Sequence, residues 1–222
     1  MSTAVEVTGF VLCVAAWLLS GMALANDYWK VSSFSGSVIT SARQYENLWH
    51  SCAESSTGIT NCRDFESMLS LSAYMQACRA LMIISMILGL IGVIASIMGL
   101  KCTKISSSAD DTKAKMATTS GAIYILSGLC VLTAVSWYAS RVVQDFNNPF
   151  PLTARPVHRY EFGAGLYMGW GAAGLSMVGG AFLCCSFRRT MKGSANGGYY
   201  DKRSQGQVYR AAAASEASKA FV

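Results

Sequence analysis

Four long stretches without a charged residue constrain this chain more than any other feature. They cover residues 7–25, 80–100, 116–139 and 162–187 of the 222-residue sequence. Because an α-helix rises about 1.5 Å per residue, each stretch can cross the ~30 Å hydrocarbon core of a bilayer as one helix. The connecting segments are too short for a second globular domain. The sequence therefore predicts a single four-helix membrane domain over 1–187, followed by a tail over 188–222.

The distribution of Lys and Arg predicts the orientation of these helices. Basic residues are retained on the cytoplasmic side of a membrane, and here they are concentrated in 101–115 and in the tail. Both termini and the loop 101–115 are therefore predicted to be cytoplasmic, and the loops 26–79 and 140–161 extracellular. The net charge of +6 comes mostly from the tail, so it indicates the inner membrane surface as a partner and not nucleic acid.

The composition of the four stretches excludes two classes of function. None of them contains an ionisable residue, which a transporter or proton pump would need at membrane depth. Their many glycines favour close helix packing, so any conduction must lie outside the bundle. The chain has only two histidines, His50 and His158, and no zinc-binding spacing, nucleophile elbow or phosphate loop. We therefore predict no enzymatic activity, no cofactor and no metal site.

The positions of the eight cysteines divide them into groups. Cys52 and Cys62 lie well inside an extracellular loop, where the environment is oxidising, and are the disulfide candidates. Cys102, Cys184 and Cys185 lie where helices would meet the cytoplasm. That setting permits S-palmitoylation, with packing in the protein core as the alternative.

The first extracellular loop has the residue pattern of a small antiparallel sheet. Segments 29–34 and 37–42 flank Ser35-Gly36, a two-residue hairpin signal. A disulfide between Cys52 and Cys62 across a second hairpin would fix the register, with a turn at 56–58. The resulting pairs are Glu54 with Thr60, His50 with Asp64, and Trp49 with Phe65. Alternation along a strand then places Cys52, Glu54, Cys62 and Asp64 on one face.

These residues form a signature that resembles the claudin family. Its pattern of a Trp, a Gly-Leu-Trp triplet, two Cys and an Arg is matched by Trp29, 47–49, Cys52, Cys62 and Arg79. Asn47 stands where most members have Gly. Together with 27–32, 46–49 and 76–83, it makes the chain most similar to the branch of claudin fifteen and claudin ten, which is associated with paracellular ion pores.

The resemblance implies a fold and a role. The expected fold is membrane α+β, a left-handed four-helix transmembrane bundle with a small extracellular antiparallel β-sheet. The expected role is a tight-junction protein that binds other claudin chains in cis and in trans and forms a channel for small cations. The alternatives are an adhesive, barrier-forming claudin without conductance and an accessory subunit of another channel. Tetraspanins and connexins fit poorly because their outer loops carry different cysteine patterns.

Carboxylates of the sheet are the candidate ion selectors, since rings of Asp or Glu concentrate cations in a narrow passage. Asp64 and Glu54 lead, with Glu46 third; solvated surface carboxylates are the alternative. Ser55 matches a position that is often acidic in the pore branch. Arg43 and Arg63 would weaken the preference for cations. His50 would face Asp64 and titrate there, or be an ordinary surface histidine.

Other residues acquire roles from the resemblance. Trp29, Leu48 and Trp49 would be structural anchors beneath the sheet or at the membrane interface. Met68, in a short extracellular helix, would insert against Phe146 of a neighbour for polymerisation in cis, or pack within its own chain. Phe146, Pro149 and Phe150 would form the adhesive turn. The tail should be disordered, and Phe221-Val222 would bind PDZ scaffold proteins.

Overall fold

Four long helices dominate the computed structural model of the protein, which describes residues 2–33, 43–55, 57–65, 71–99, 110–147 and 159–185. The helices are α1 (Ser2–Ala25), α2 (Ala73–Gly99), α3 (Asp110–Asn147) and α4 (Ala164–Cys185). Each contains a span that is long and apolar enough to cross a membrane by length and composition. The predicted set of four membrane helices is confirmed.

The helices differ from the predicted windows at their ends. α2 begins at Ala73 instead of 80, and α3 starts before 116 and continues past 139 to Asn147. The windows stopped at the first charged residue, whereas a helix satisfies its backbone hydrogen bonds internally and continues beyond the apolar segment. α1 likewise starts at Ser2 and includes a buried Glu6. α4 begins later than predicted because Phe162 belongs to a strand.

A five-stranded antiparallel sheet lies at one end of the bundle. Its strands are β1 (Lys30–Ser33), β2 (Arg43–Glu46), β3 (His50–Glu54), β4 (Thr60–Asp64) and β5 (Arg159–Phe162), in the spatial order β4-β3-β2-β1-β5. The β3–β4 register is the predicted one, with Cys52 opposite Cys62 and joined to it by a disulfide. Gly58, with φ of 79°, supplies the left-handed residue that the turn needs.

The partner of β1 was predicted wrongly. A two-residue turn at Ser35-Gly36 would pair Lys30 with Ser41, but Lys30 pairs with Glu46. The other edge of β1 pairs along its length with β5, which the sequence did not indicate. Short polar strands carry little local signal, so their partners are fixed by neighbouring strands and by the bundle beneath them. The segment 34–42 lies outside the described residues.

The signature residues join the sheet to the bundle. Trp29 is fully buried, donates from Nε1 to the carbonyl oxygen of Ala23 at 2.8 Å, and meets the Tyr138 ring edge-on at 5.2 Å. Arg79 donates from Nε to the carbonyl oxygen of Leu48, and its guanidinium lies 5.0 Å from the centre of the Trp49 ring. Burial of a side chain as large as Trp29 contributes about 2–3 kcal/mol. These residues therefore fix the sheet to the bundle.

Small residues let the helices pack closely, as predicted. A Cβ on Gly89 would clash with the Trp17 indole, and one on Gly121 would clash with the backbone of Gly180. Buried hydroxyls add hydrogen bonds between helices: Ser127 Oγ donates to the carbonyl oxygen of Ser85 at 2.9 Å. Among the described residues, the charged side chains lie mainly in and around the sheet.

Candidate functional site

The strand register divides the sheet into two faces. We call one the disulfide face, because it carries the Cys52–Cys62 bond, and the other the bundle face, because its Tyr160 and Phe162 pack against the core of the bundle. Side chains alternate between the two faces along each strand. Among the residues whose side chains the structure describes, the polar residues of the disulfide face are Arg43, Tyr45, His50, Glu54, Thr60, Asp64 and Glu161. Those of the bundle face are Lys30, Ser32, Gln44, Glu46, Ser51, Asn61, Arg63 and Tyr160.

The two leading acids share the disulfide face. Asp64 is exposed near the end of β4, and Glu54 is half-buried at the end of β3. Arg43 of β2 lies directly opposite Glu54, and its guanidinium is 5.9 Å from the centre of the Tyr28 ring. Arg63 is opposite Ser51 and projects from the bundle face. Of the two arginines, Arg43 is therefore the one that shares a face with these acids. Its positive charge offsets the negative charge of Glu54 more than that of Asp64, because Glu54 lies directly opposite it.

Glu46, the third candidate acid, is separated from the other two. It lies on the bundle face, where its Oε2 is 2.9 Å from Nζ of Lys30, and the side chains of Glu46 and Lys30 are only 16% and 11% exposed. Burial lowers the pKa of Lys30, but the charge and hydrogen bond of Glu46 outweigh it and raise the pKa overall. The Lys30 ammonium also lies 4.7 Å from the centre of the Tyr160 ring. Glu46 is therefore part of a buried ion pair that joins β1 to β2.

His50 lies opposite Asp64 as predicted, but its ring contacts a different carboxylate. Its Nε2 is 3.1 Å from Oδ1 of Asp27, in the connection between α1 and β1. Asn47 Nδ2 donates to the same Asp27 oxygen at 3.0 Å, and Asn47 Oδ1 accepts the backbone N–H groups of Trp49 and His50. The residue that departs from the family's Gly therefore organises the β2–β3 turn. Sequence reasoning missed this cluster, because nothing local links Asp27 to His50.

Ser55 lies in the turn and not in a strand. Its backbone N–H donates to the carbonyl oxygen of Ile59, and its own carbonyl oxygen accepts from the N–H of Gly58, both at 2.9 Å. The hydroxyl accepts a hydrogen bond from Thr57 Oγ1 at 3.2 Å. The side chain is held at the exposed tip of the hairpin, next to Glu54.

A groove opens beside the sheet, where the end of α3 meets β5 and α4. It has a volume of about 340 Å³ and includes Val143, Phe146, Tyr160 and Tyr167. Phe146 is 45% exposed and Tyr167 is 59% exposed, although both are aromatic. The groove offers an apolar surface outside the span predicted from the sequence for the third helix.

The remaining predicted residues lie either at the end of α4 or outside the described part of the chain. Cys184 is half-buried and Cys185 is exposed, at the end of α4 away from the sheet. Of the residues singled out from the sequence, those that the structure does not describe include Met68, Cys102, Pro149, Phe150, His158, Phe221 and Val222.

Four apolar helices of membrane-spanning length and a disulfide-linked sheet anchored by Trp29, Leu48 and Arg79 define a polytopic membrane protein with one structured domain beside the bundle. The model of the PMP-22/EMP/MP20/Claudin family matches residues 3–183. The chain is 46% identical to claudin-15 of Bos taurus over 190 residues, which cover 84% of this chain and 79% of that protein.

Two further relatives are other claudins. Identity to claudin-19 of Mus musculus is 42% over 83% of this chain and 82% of that protein, and identity to claudin-1 of Rattus norvegicus is 41% over 83% and 86%. The chain belongs to the claudin family. It is therefore a membrane protein of tight junctions that associates with other claudin chains and is not an enzyme. Because these relatives are three different claudins, they do not distinguish a channel from a barrier.

Proposed function

We propose that this claudin polymerises into tight-junction strands and forms a paracellular channel that prefers small cations, with the disulfide face lining the passage. The observation that supports the proposal is the β3–β4 register, which puts Glu54 and Asp64 on one face of the sheet with Asp64 exposed. The bundle is an unsuitable route, because its described interior is filled by close helix contacts.

Electrostatics make Asp64 the stronger selector of the two acids. A carboxylate and a cation 4 Å apart attract by about 4 kcal/mol at an effective dielectric constant near 20, which offsets part of the ion's lost hydration. The charge of Glu54 is opposed by Arg43, its cross-strand partner on β2, whereas the cross-strand partner of Asp64 is His50. Beyond a Debye length of ~8 Å this field is screened, so the passage must be narrow.

Polymerisation in cis would use the groove beside β5. Its exposed Phe146 and Tyr167 offer apolar contact to a side chain such as Met68 of a neighbouring protomer. Adhesion in trans would use the adjoining turn with Pro149 and Phe150. In this arrangement both termini are cytoplasmic, Phe221-Val222 binds PDZ scaffolds, and Cys102, Cys184 and Cys185 are candidates for palmitoylation.

A barrier without conductance is the second candidate function. Arg43 is exposed on the same face as Glu54 and Asp64, so the face is not uniformly acidic. If Arg43 lies in the passage, it reduces the concentration of cations there.

Dilution potentials across an epithelial layer expressing the chain test the proposal. We expect Asp64→Asn to lower the ratio of sodium to chloride permeability by about threefold, with strands retained, and Glu54→Gln to have a smaller effect. Ser55→Asp adds an acid at the hairpin tip and should raise the ratio.

Two arginine variants serve as matched controls. Arg43→Gln removes a positive charge from the disulfide face and should raise the ratio, whereas Arg63→Gln removes one from the bundle face and should change it little. If neither neutralised acid alters the ratio while strands persist, the carboxylates are solvated surface groups and the barrier function is favoured.

A further inference from the structure

An imidazole stands next to the proposed selector on the disulfide face. His50 is the cross-strand partner of Asp64, and both side chains project from the same side of the sheet. A ring nitrogen of His50 lies within 4.8 Å of the sulfur atoms of Cys52 and Cys62. Side chains paired in this way have Cβ atoms about 5 Å apart, which is less than a Debye length. A charge on His50 therefore acts directly on the field around Asp64.

Hydrogen bonds fix the position of the His50 imidazole. Asp27 Oδ1 lies 3.1 Å from His50 Nε2 and accepts a second hydrogen bond from Asn47 Nδ2. Asn47 itself is 1% exposed and is held by the backbone N–H groups of Trp49 and His50. The His50 side chain remains 27% exposed, so protons from the passage can reach the ring.

Other titratable and charged groups surround His50. The titratable and charged groups around His50 are Asp27 of the α1–β1 connection, Asp64 of β4, Glu54 of β3, and Arg43 and Tyr45 of β2. Arg stays protonated at physiological pH. Burial raises the pKa of Tyr45, so its phenol stays neutral. Arg79 lies beyond Trp49, and its guanidinium also stays protonated.

We propose that His50 is a specificity-determining residue, and that a positive charge gained by its imidazole when the outside is acidified reduces the cation preference of the channel. Histidine is the type of side chain whose charge ordinarily changes between about pH 5 and 8. Protonation adds one positive charge beside Asp64 and Asp27 and so removes one net negative charge from this part of the face. The inference rests on the proposed function, because it requires that the disulfide face line the passage.

Dilution potentials at about pH 7.5 and pH 6 test the inference in layers expressing the wild type, His50→Gln or His158→Gln. Because the chain has two histidines, His158→Gln is the matched control. We expect the ratio of sodium to chloride permeability to fall about twofold at the lower pH for the wild type and for His158→Gln. The ratio should not change with pH for His50→Gln.

A second variant keeps the test decisive if His50→Gln fails to reach the strands. His50→Lys carries a fixed positive charge over this pH range, so its ratio should be low at both pH values. A fall in ratio that persists in His50→Gln or His50→Lys, or that disappears in His158→Gln, overturns the inference. A wild-type ratio that shows cation preference without pH dependence overturns the role of His50 alone. A wild-type ratio equal to that in free solution at both pH values overturns the proposed channel as well.

Discussion

At the scale of single residues, carboxylates of the same sheet stand in two different environments. Glu46 and Asp64 are both carboxylates of short outer strands, yet Glu46 is 2.9 Å from Lys30 and largely buried, whereas Asp64 is exposed. The difference follows from strand parity, because Glu46 projects toward the bundle and Asp64 away from it. An acid on the bundle face is therefore expected to affect stability, and an acid on the disulfide face to affect ion permeation.

Replacement of Glu46 tests this distinction. Glu46→Gln leaves the Lys30 ammonium buried without its counter-ion, so we expect the detergent-solubilised protein to lose about 2 kcal/mol of stability. The double variant Lys30→Met/Glu46→Gln should recover part of that loss. Thermal unfolding measures both, and the permeability ratio of any strands that form should stay at the wild-type value.

The dependence of this effect on pH has a definite sign. The folded pKa of Lys30 is raised above its ordinary value of 10.5, so the ion pair contributes its full stability below that pH and loses it as the pH rises through the folded pKa. The difference in melting temperature between the wild type and Glu46→Gln should therefore be constant from about pH 6 to 8. It should narrow only above pH 10.5. A lower permeability ratio with unchanged melting temperature would make Glu46 a selector instead.

At the scale of elements, the β3–β4 hairpin is an edge unit held by one covalent bond. Its loop is closed by the Cys52–Cys62 disulfide, which contributes roughly 3 kcal/mol by restricting the unfolded chain. The two sulfur-bearing residues differ in environment: Cys52 is 1% exposed on the inner strand β3, and Cys62 is exposed on the edge strand β4. This asymmetry makes the two single-cysteine variants distinguishable.

An impermeant thiol reagent on intact cells measures that asymmetry. Cys52→Ala frees the exposed Cys62, and we expect strong labelling of the surface protein. Cys62→Ala frees the buried Cys52 and is the matched control, for which we expect little labelling. If Cys62 stays unreactive in folded Cys52→Ala protein at the cell surface, Cys62 has another partner and the pairing is incorrect.

At the scale of the whole molecule, the sheet and the end of α3 form one unit at one end of an apolar bundle, which we call the outer unit in keeping with the proposed orientation. The outward face of α2 exposes Ile83, Ile87, Leu90 and Ile94, as expected for a helix in contact with lipid. The groove with Phe146 lies at the end of α3, where the helix continues past its uncharged window to Asn147. Polymerisation by way of this groove would join neighbouring outer units side by side.

A charge in the groove tests the polymerisation surface. Phe146→Glu should prevent continuous strands, because the interface loses about 2 kcal/mol of apolar burial and gains an uncompensated carboxylate. Gln144→Glu is the matched control on the same exposed end of α3, since Gln144 does not line the groove. Freeze-fracture microscopy and surface biotinylation measure strands and delivery. Normal strands with Phe146→Glu would show that neighbours meet elsewhere.

The sequence by itself determined the features that depend on local composition or on a covalent bond. The uncharged windows predicted four membrane helices, because an apolar helix crosses hydrocarbon with its backbone groups satisfied internally. The spacing of Cys52 and Cys62 predicted the β3–β4 register, because a disulfide brings its two strands together at one position.

Only the tertiary structure decided the pairings between segments distant in the chain. Nothing near Lys30 indicates that its strand pairs with β2 on one edge and with β5 on the other, or that Glu46 is its counter-ion. The contact of His50 with Asp27 is equally hidden. Such pairings depend on how the anchored Trp29 positions β1 above the bundle, and short polar strands accept whichever partner that position offers.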